Sequence, residues 1–130
     1  MKYVVAGLVA ALVAVAVSPA RAHHSFSAQY DANKPVTLKG VVTKVEWMNP
    51  HARFYIDVRG EDGQTANWNF ELASPNYLTR AGWSSSSLKP GDEVSVEGSL
   101  ARSGANMANA RTVTFADGTR VFARSSADGG

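Results

Sequence analysis

The chain has 130 residues and no cysteine, and its 13 lysines and arginines outnumber its 11 aspartates and glutamates by two. The lack of cysteine excludes a disulfide framework and thiol chemistry. Both extra positive charges, Lys2 and Arg21, lie in the export signal described next, so residues 23–130 carry 11 charges of each sign with histidine neutral. Nucleic-acid binding relies on a basic surface that displaces counterions, so we predict no nucleic-acid partner. The length of residues 23–130 predicts a single domain.

Residues 1–22 have the pattern of a cleaved secretory signal. A positive start at Lys2 is followed by an apolar run of 14 residues over 4–17, and Ala-Arg-Ala at 20–22 supplies the small residues that a signal peptidase reads. A membrane anchor is the alternative, but crossing a bilayer takes about 20 apolar residues. We therefore predict cleavage after Ala22, export to the periplasm and no membrane span in the mature chain.

The mature chain begins with a segment that lacks a regular period. We expect residues 23–35 to form an extended N-terminal arm, followed by a long strand over Val36–Trp47. The apolar positions of that strand change parity near Thr43-Lys44, as one bulged residue would cause. Asn49-Pro50 should end the strand, because proline donates no ladder hydrogen bond and restricts the residue before it.

In the rest of the chain, turn and cap residues separate the predicted strands and helix. Two alternating strands, 54–58 and 66–72, flank Asp62-Gly63 and predict a hairpin. Ser74 followed by proline is typical of a helix start, and Gly82 is placed to end that helix after about two turns. The later signals are a turn at Pro90-Gly91-Asp92, a strand from Val94, a loop over 102–109, a strand at 113–115 and an Asp117-Gly118 turn.

This order of elements predicts an all-β fold with one short helix. Five strands in the order β-β-β-α-β-β, with a long bent first strand, are typical of a small OB-type barrel, which we place at residues 36–124. A small β-sandwich is the competing architecture. The polar tail 125–130 is predicted to be flexible.

All three histidines follow the predicted signal, at His23, His24 and His51. After cleavage at residue 22, His23 would carry a free α-amine beside its imidazole, and these two nitrogens can chelate one metal ion. His51, in the loop after the first strand, is the candidate distant ligand, and His24 is a further one. Nitrogen ligands favour Cu(II) over Zn(II). The alternative is a solvated chain end and a histidine that merely caps a turn.

Other side chains are candidates for the same end of the barrel. Loops at the mouth of an OB barrel commonly bind ligands, so Trp47, Asn49 and Trp83 are predicted to line a ligand site near His51. Met48 and Met107 offer thioether groups suited to Cu(I), but filling gaps in the core is the commoner role of methionine, and we predict that role here.

Catalysis finds no support in the sequence. The chain has no G-x-S-x-G elbow, no H-E-x-x-H pair and no phosphate-binding loop. Carboxylates such as Asp57 and Glu71 occur singly. We predict that the protein is not an enzyme and name no catalytic residue and no bound organic cofactor.

In combination, these motifs resemble the exported bacterial family called domain of unknown function 6152. The matching pieces run in order along the mature chain: His23-His24-Ser25-Phe26, Gly40-Val41-Val42, Trp47-Met48-Asn49-Pro50-His51, Trp68, Leu78 to Gly82-Trp83, Leu88-Lys89-Pro90-Gly91-Asp92, and Asp117-Gly118. The stretch 101–106 departs from the pattern, because it lacks the expected proline-containing turn. The resemblance implies a periplasmic protein in which the His-His start and the Asn-Pro-His loop act together, without an assigned activity.

Three functions are consistent with these observations. The first is a non-enzymatic periplasmic binding or accessory module whose ligand site involves His23, His24 and His51. The second is a periplasmic copper-binding protein that uses the mature N-terminal His23 with His51. The third is an assembly partner that docks through an exposed aromatic end formed by Trp47 and Trp83.

Overall fold

The computed structural model describes residues 26–122 and residue 126. The predicted signal peptide, His23, His24 and most of the predicted tail lie outside these residues. After a helical turn at 26–29 the described elements are β1 (Tyr30–Glu46), β2 (Arg53–Arg59), β3 (Thr65–Glu71), α1 (Pro75–Arg80), β4 (Glu93–Ala101), β5 (Met107–Phe115) and β6 (Arg120–Phe122).

The strands form one sheet in the order β3-β2-β1-β4-β5-β6, and a parallel pairing of β3 with β5 closes it into a barrel. β1 pairs with β4 through its first half and with β2 through its second half, so it belongs to both sides of the barrel. This is the arrangement of the OB fold, and the predicted fold class is confirmed. The three-residue β6 is a sixth strand added to the β5 edge.

The bulge in β1 lies where the sequence predicts it. Val42 pairs with Ile56, and Lys44 pairs with Tyr55, so Thr43 is the extra residue. Before the bulge Val42 is buried in the barrel, and after it Val45 packs against the same core. The bulge therefore keeps apolar side chains inside while the long strand bends.

The predicted helix caps are also present. The Oγ of Ser74 accepts a hydrogen bond from the backbone N–H of Tyr77 at 3.3 Å, and Pro75 occupies the first turn. Gly82 has φ +98°, and the N–H of Trp83 donates to the carbonyl of Leu78 at 2.9 Å. This is a Schellman ending, which satisfies carbonyls of the last turn and turns the chain back toward the barrel.

Two boundaries predicted from the sequence are wrong. β1 begins at Tyr30 rather than Val36, because the backbone of residues 30–35, predicted to belong to an extended arm, pairs with β4, with Pro35 opposite Ser99. β5 begins at Met107, inside the loop predicted over 102–109. Its first residues pair with both β3 and β4, and small buried residues such as Ala108 give no alternating hydrophobic signal.

The core fills the barrel and the end covered by α1. The rings of Phe54 and Phe70 stack with centroids 5.3 Å apart. Around them lie Val42, Ala52, Ile56, Leu72, Leu78, Trp83, Leu88, Val94, Val96 and Val113. In the part of the chain that the structure describes, no helix has the length and apolar character needed to cross a membrane.

Candidate metal-binding pole

A row of charged residues crosses the outer face of three adjacent strands. Glu46 of β1 pairs with Arg53 of β2, and Arg53 pairs with Glu71 of β3. Since the neighbouring Phe54 and Phe70 point into the core, strand alternation places Arg53 and Glu71 on the opposite, outer face. This row lies where loop 47–52 connects β1 to β2.

Glu71 is the centre of this row, and although it lies on the outer face its side chain is buried, with 3% of the residue exposed. Its Oε2 accepts a hydrogen bond from the Tyr30 hydroxyl at 2.9 Å and from Nη2 of Arg53 at 2.8 Å. Its Oε1 lies 3.6 Å from Nδ1 of His51. A buried carboxylate is stable only when it is hydrogen-bonded, so Tyr30 and Arg53 hold Glu71 in place, with His51 in contact with its other oxygen.

Tyr30, the first residue of β1, covers the side chain of Glu71. Its side chain is completely buried, and burial, reinforced by the negative charge of Glu71, raises the pKa of the Tyr30 phenol well above its ordinary value. The phenol therefore remains protonated and continues to donate to the carboxylate. The ring of Phe26 packs on the Tyr30 ring, with centroids 5.6 Å apart.

Arg102, in the loop between β4 and β5, holds the segment that precedes β1. Its Nε donates to the carbonyl of Ser27 at 2.7 Å, and its backbone N–H donates to the carbonyl of Gln29 at 2.9 Å. Its Nη1 lies 3.5 Å from the Asp31 carboxylate. These contacts fix the start of the described chain against the barrel, next to Glu71.

The guanidinium of Arg53 extends the site toward β5. Its Nη1 donates to Oδ1 of Asn69 at 3.3 Å and lies 3.9 Å from the sulfur of Met107. Asn69 and Met107 are cross-strand partners in the parallel β3–β5 pairing. We call this part of the surface the His51 pole; it comprises loop 47–52 and the side chains of Tyr30, Arg53, Asn69, Glu71 and Met107.

The predicted site residues fall at different places relative to this pole. The side chain of His51 is 27% exposed and contacts Glu71, and Asn49 is exposed in the same loop. Trp47 is half-buried against the core, and Trp83 belongs to the core with 4% of its surface exposed. Their roles toward a ligand remain predictions.

The methionines differ from their predicted role in the core. Met48 is 54% exposed in loop 47–52, which contradicts the expected gap-filling role. Met107 is half-buried on the outer face beside Arg53 and does not belong to the core cluster. Both sulfurs are therefore at the His51 pole.

Residues 26–122 do not contain three or more histidine, cysteine, aspartate or glutamate side chains grouped so that they could hold a metal ion. They contribute one imidazole, that of His51, with Glu71 behind it. Two of the three predicted metal ligands, His23 and His24, precede the described residues. A metal site with several imidazole ligands at this pole thus requires residues that precede Phe26.

A groove of about 600 Å³ lies at the other end of β2, and its chemistry differs from that of the pole. Charged and apolar side chains of β1, β2, β4 and β5 line it, including Lys39, Val41, Arg59, Glu93 and Phe115. Its lining contains no histidine and no methionine, so it offers neither imidazole nitrogen nor thioether sulfur to a metal ion.

Tyr30, Arg53, Glu71 and Arg102 were not predicted as site residues. Alternation along β2 and β3 places Arg53 and Glu71 on the same face of the sheet. Together with the predicted hairpin, this pattern could have predicted that the two side chains lie close to each other. The burial of Glu71 gave no signal, because it depends on Tyr30, which lies 41 positions away in the chain.

The barrel closure and the His51 pole define a small OB-type protein with a polar site at the loop that follows the first strand. The model of a family of unknown function, DUF6152, matches residues 10–110, so the chain belongs to that family. No curated protein sequence matches the chain.

Two solved structures have a similar fold. One crystal structure of Rim1, the mitochondrial single-stranded DNA binding protein of S. cerevisiae, superposes with a TM-score of 0.50 and 14% identity, covering 64% of this chain and 93% of that one. A second, selenomethionine-labelled crystal of Rim1 gives a TM-score of 0.47 and 13% identity over the same shares. At this identity the likeness shows the fold alone.

Proposed function

We propose that this protein is exported to the periplasm, where it binds Cu(II) at the His51 pole. The ligands are the α-amine and imidazole of His23, freed by cleavage after Ala22, and the imidazole of His51, with His24 as a further candidate. One observation carries the proposal: the buried carboxylate of Glu71 contacts His51 and, through Tyr30, also holds the segment that follows the histidines.

The contact between Glu71 and His51 supports a ligand role for the imidazole. Metal-binding histidines usually direct one ring nitrogen to a carboxylate, which fixes the ring and increases the basicity of the other nitrogen. In this protein the carboxylate is 3.6 Å from Nδ1, so Nε2 is the nitrogen for the metal. Hydrogen bonds from Tyr30 and Arg53 hold the carboxylate in position.

The position of Phe26 supports the participation of the chain start. His23 precedes Phe26 by only three residues, a separation of at most about 10 Å in an extended chain. Phe26 packs on Tyr30, whose hydroxyl meets the same carboxylate that contacts His51. A chain that begins at His23 therefore starts three residues before a contact with Tyr30.

The donor set favours copper. An amine and two imidazoles provide nitrogen ligands, and Cu(II) has the highest affinity among the divalent first-row metals for such sites. Both oxygens of Glu71 already contact other side chains, so this carboxylate is assigned to supporting His51 and not to binding the metal.

The alternative functions have less support. Docking through Trp47 and Trp83 is weakened because Trp83 is 4% exposed. Rim1 binds single-stranded DNA, but the Arg53 cation of this chain, on the outer face of the barrel, is already paired with Glu71. A small organic ligand at the same pole is a variant of the binding role and an outcome of the experiment below.

The test uses protein produced with its own signal and recovered after export. Its intact mass establishes the first residue, and Cu(II) titration against a competing chelator follows on the same material. A matched form with one alanine before His23 keeps every side chain but moves the α-amine out of chelating position. We expect a mass that begins at His23 and a large loss of Cu(II) affinity in the extended form. Equal affinity of the two forms would overturn the proposed chelate.

A further inference from the structure

The groove of about 600 Å³ at the other end of β2 contains charged side chains of both signs. Lys39 and Arg59 contribute two cations, and Asp57 and Glu93 contribute two carboxylates. All four residues are exposed, and among the residues that the structure describes none of the four forms an ion pair. The groove therefore has no net charge, but it presents two cations and two carboxylates that are not paired with each other.

Strand pairing arranges these charges in two rows across the outer face of the barrel. Val41 of β1 pairs with Asp57 of β2 on one side and with Glu93 of β4 on the other, which defines a row of carboxylates. Lys39 and Arg59 each lie two residues further along the strands of Val41 and Asp57, in the same direction because these strands are antiparallel. Two residues advance a strand by about 6–7 Å, so a row of cations follows at that separation.

Hydroxyl groups extend the row of cations. Ser95 of β4 pairs with Lys39 on one side and with Thr114 of β5 on the other, and both hydroxyl residues line the groove. Apolar surface is provided by Val41, which is 40% exposed, and by Phe115. The groove thus offers donors for an anionic group, acceptors for an ammonium group and apolar surface for a side chain between them.

We propose that this groove binds a dipeptide with apolar side chains, its carboxylate at Lys39 and Arg59 and its ammonium group at Asp57 and Glu93. An uncharged ligand would cover the four charged groups without pairing them, which costs free energy of desolvation. A polyanion or a polycation would meet one row of its own sign. A zwitterion pairs with both rows, and two extended residues span at most about 7 Å, close to the separation of the rows.

The size of the groove is consistent with such a ligand, because sites for small molecules commonly measure about 300–1,000 Å³. The groove shares no residue with the His51 pole and needs no copper ion. The dipeptide site therefore goes beyond the proposed function, and failure of either proposal leaves the other standing.

The experiment titrates the exported protein with the dipeptide Leu-Leu and follows its backbone amide NMR signals. N-acetylated Leu-Leu lacks the ammonium group, and C-amidated Leu-Leu lacks the carboxylate. One variant, Lys39→Gln with Arg59→Gln, removes the row of cations, and a second, Asp57→Asn with Glu93→Gln, removes the row of carboxylates. Arg80→Gln is the matched control, because this exposed arginine of α1 does not line the groove. The amide spectrum also establishes that each variant is folded.

Saturable shifts should be confined to amides that line the groove. Removing either charge of the dipeptide should weaken its binding to the unaltered protein about two- to fivefold, as expected for exposed ion pairs. The variant without the cations should bind the free and the C-amidated dipeptide equally, and the variant without the carboxylates should bind the free and the N-acetylated dipeptide equally. Arg80→Gln should behave like the unaltered protein.

Three results would overturn the inference. The first is the absence of saturable binding of Leu-Leu at the groove. The second is equal binding of the three dipeptide forms by the unaltered protein, which would exclude recognition of the charged ends. The third is a shift of the groove amides with protein concentration alone, which would show that a second copy of the chain occupies the groove.

Discussion

Oε1 of Glu71 lies 3.6 Å from Nδ1 of His51, and the carboxylate that makes this contact is buried although it stands on the outer face of the barrel. Tyr30 and Arg53 occupy its other oxygen, at 2.9 and 2.8 Å. The chain thus buries a charge at the point where the N-terminal segment meets the loop after β1. Such a cluster costs free energy of desolvation. In the proposed function, it serves to orient the ring of His51.

Replacing Glu71 tests this orientation. Glu71→Gln removes the negative charge behind His51 and should lower Cu(II) affinity about 10–100-fold, as changes behind metal ligands commonly do. It should also lower the free energy of unfolding by about 1–3 kcal/mol, because Arg53 loses its ionic partner. Chelator competition and urea unfolding measure the two effects.

The matched control for that variant is Glu97→Gln. Glu97 is paired with Arg120 on the exposed surface, 3.2 Å apart, away from the pole. Exposed pairs contribute about 0–1 kcal/mol, so the control should remain stable and bind Cu(II) normally. A similar loss of affinity in both variants would show that charge alone, not the contact with His51, produces the effect.

Tyr30 should make the stability of the metal-free protein depend on alkaline pH. The unfolded phenol loses its proton near pH 10, whereas in the folded protein burial and Glu71 raise the pKa of Tyr30 well above that value. Above about pH 10 the unfolded state therefore binds fewer protons than the folded state, and the free energy of unfolding falls as pH rises.

Tyr30→Phe isolates that contribution. At neutral pH the variant should be less stable by about 1.5–3 kcal/mol, because a hydrogen bond to a charged group is lost. As the pH rises above about 10 the difference from the unaltered protein should shrink, since phenylalanine has no proton to lose. Urea unfolding at a series of pH values measures it. A constant difference from neutral to strongly alkaline pH would contradict the assigned role of Tyr30.

Arg102 should act on copper binding through the chain start. Arg102→Gln removes the side-chain bonds to Ser27 and Asp31 and so loosens the described segment that leads into β1. A less preordered chelating segment binds more weakly, so Cu(II) affinity should fall by severalfold, while stability changes by at most about 1 kcal/mol. Arg120→Gln is the control, because its side chain is similarly exposed, at 57% against 49%, and lies far from the pole in the fold. Equal affinities for the two variants would refute the role of Arg102.

Gly40 should be required for barrel closure. β1 crosses β2 so closely there that a methyl group at Gly40 would collide with the backbone carbonyl of Asp57. Gly40→Ala should cost about 3 kcal/mol, because only backbone movement can relieve the clash. Gly63→Ala is the comparison: its φ is +77° with open space around it, so the cost should be about 1–2 kcal/mol. Thermal unfolding that ranks the two variants in the opposite order would contradict the close crossing.

Local patterns were sufficient to predict most of the barrel. The parity change between Val42 and Val45 located the bulge, and Ser74 and Gly82 located both ends of α1. Each of these signals depends on neighbouring residues alone. The early start of β1 at Tyr30 could not be predicted, because the polar residues after it show no alternation and are ordered by pairing with β4.

The candidate site was only partly predictable. His51 was identified from its residue type and its position after Asn49-Pro50. The residues that hold it were missed because Glu71 resembles an ordinary solvent-facing residue of a strand. Glu71 is buried because Tyr30 contacts it and because β3 pairs with β5. Both contacts join residues that are far apart in the sequence. Likewise, nothing local in the sequence showed that Met48 and Met107 would reach the same end of the molecule.

The proposed function requires that the chain start and His51 bind the same copper ion. The most direct measurement is a double-variant cycle in Cu(II) affinity that combines the alanine extension before His23 with His51→Gln. Two ligands of one ion are strongly coupled, so the combined form should lose little more affinity than the more damaging single change. Independent losses that simply add in free energy, or no loss on extension, would contradict a shared site.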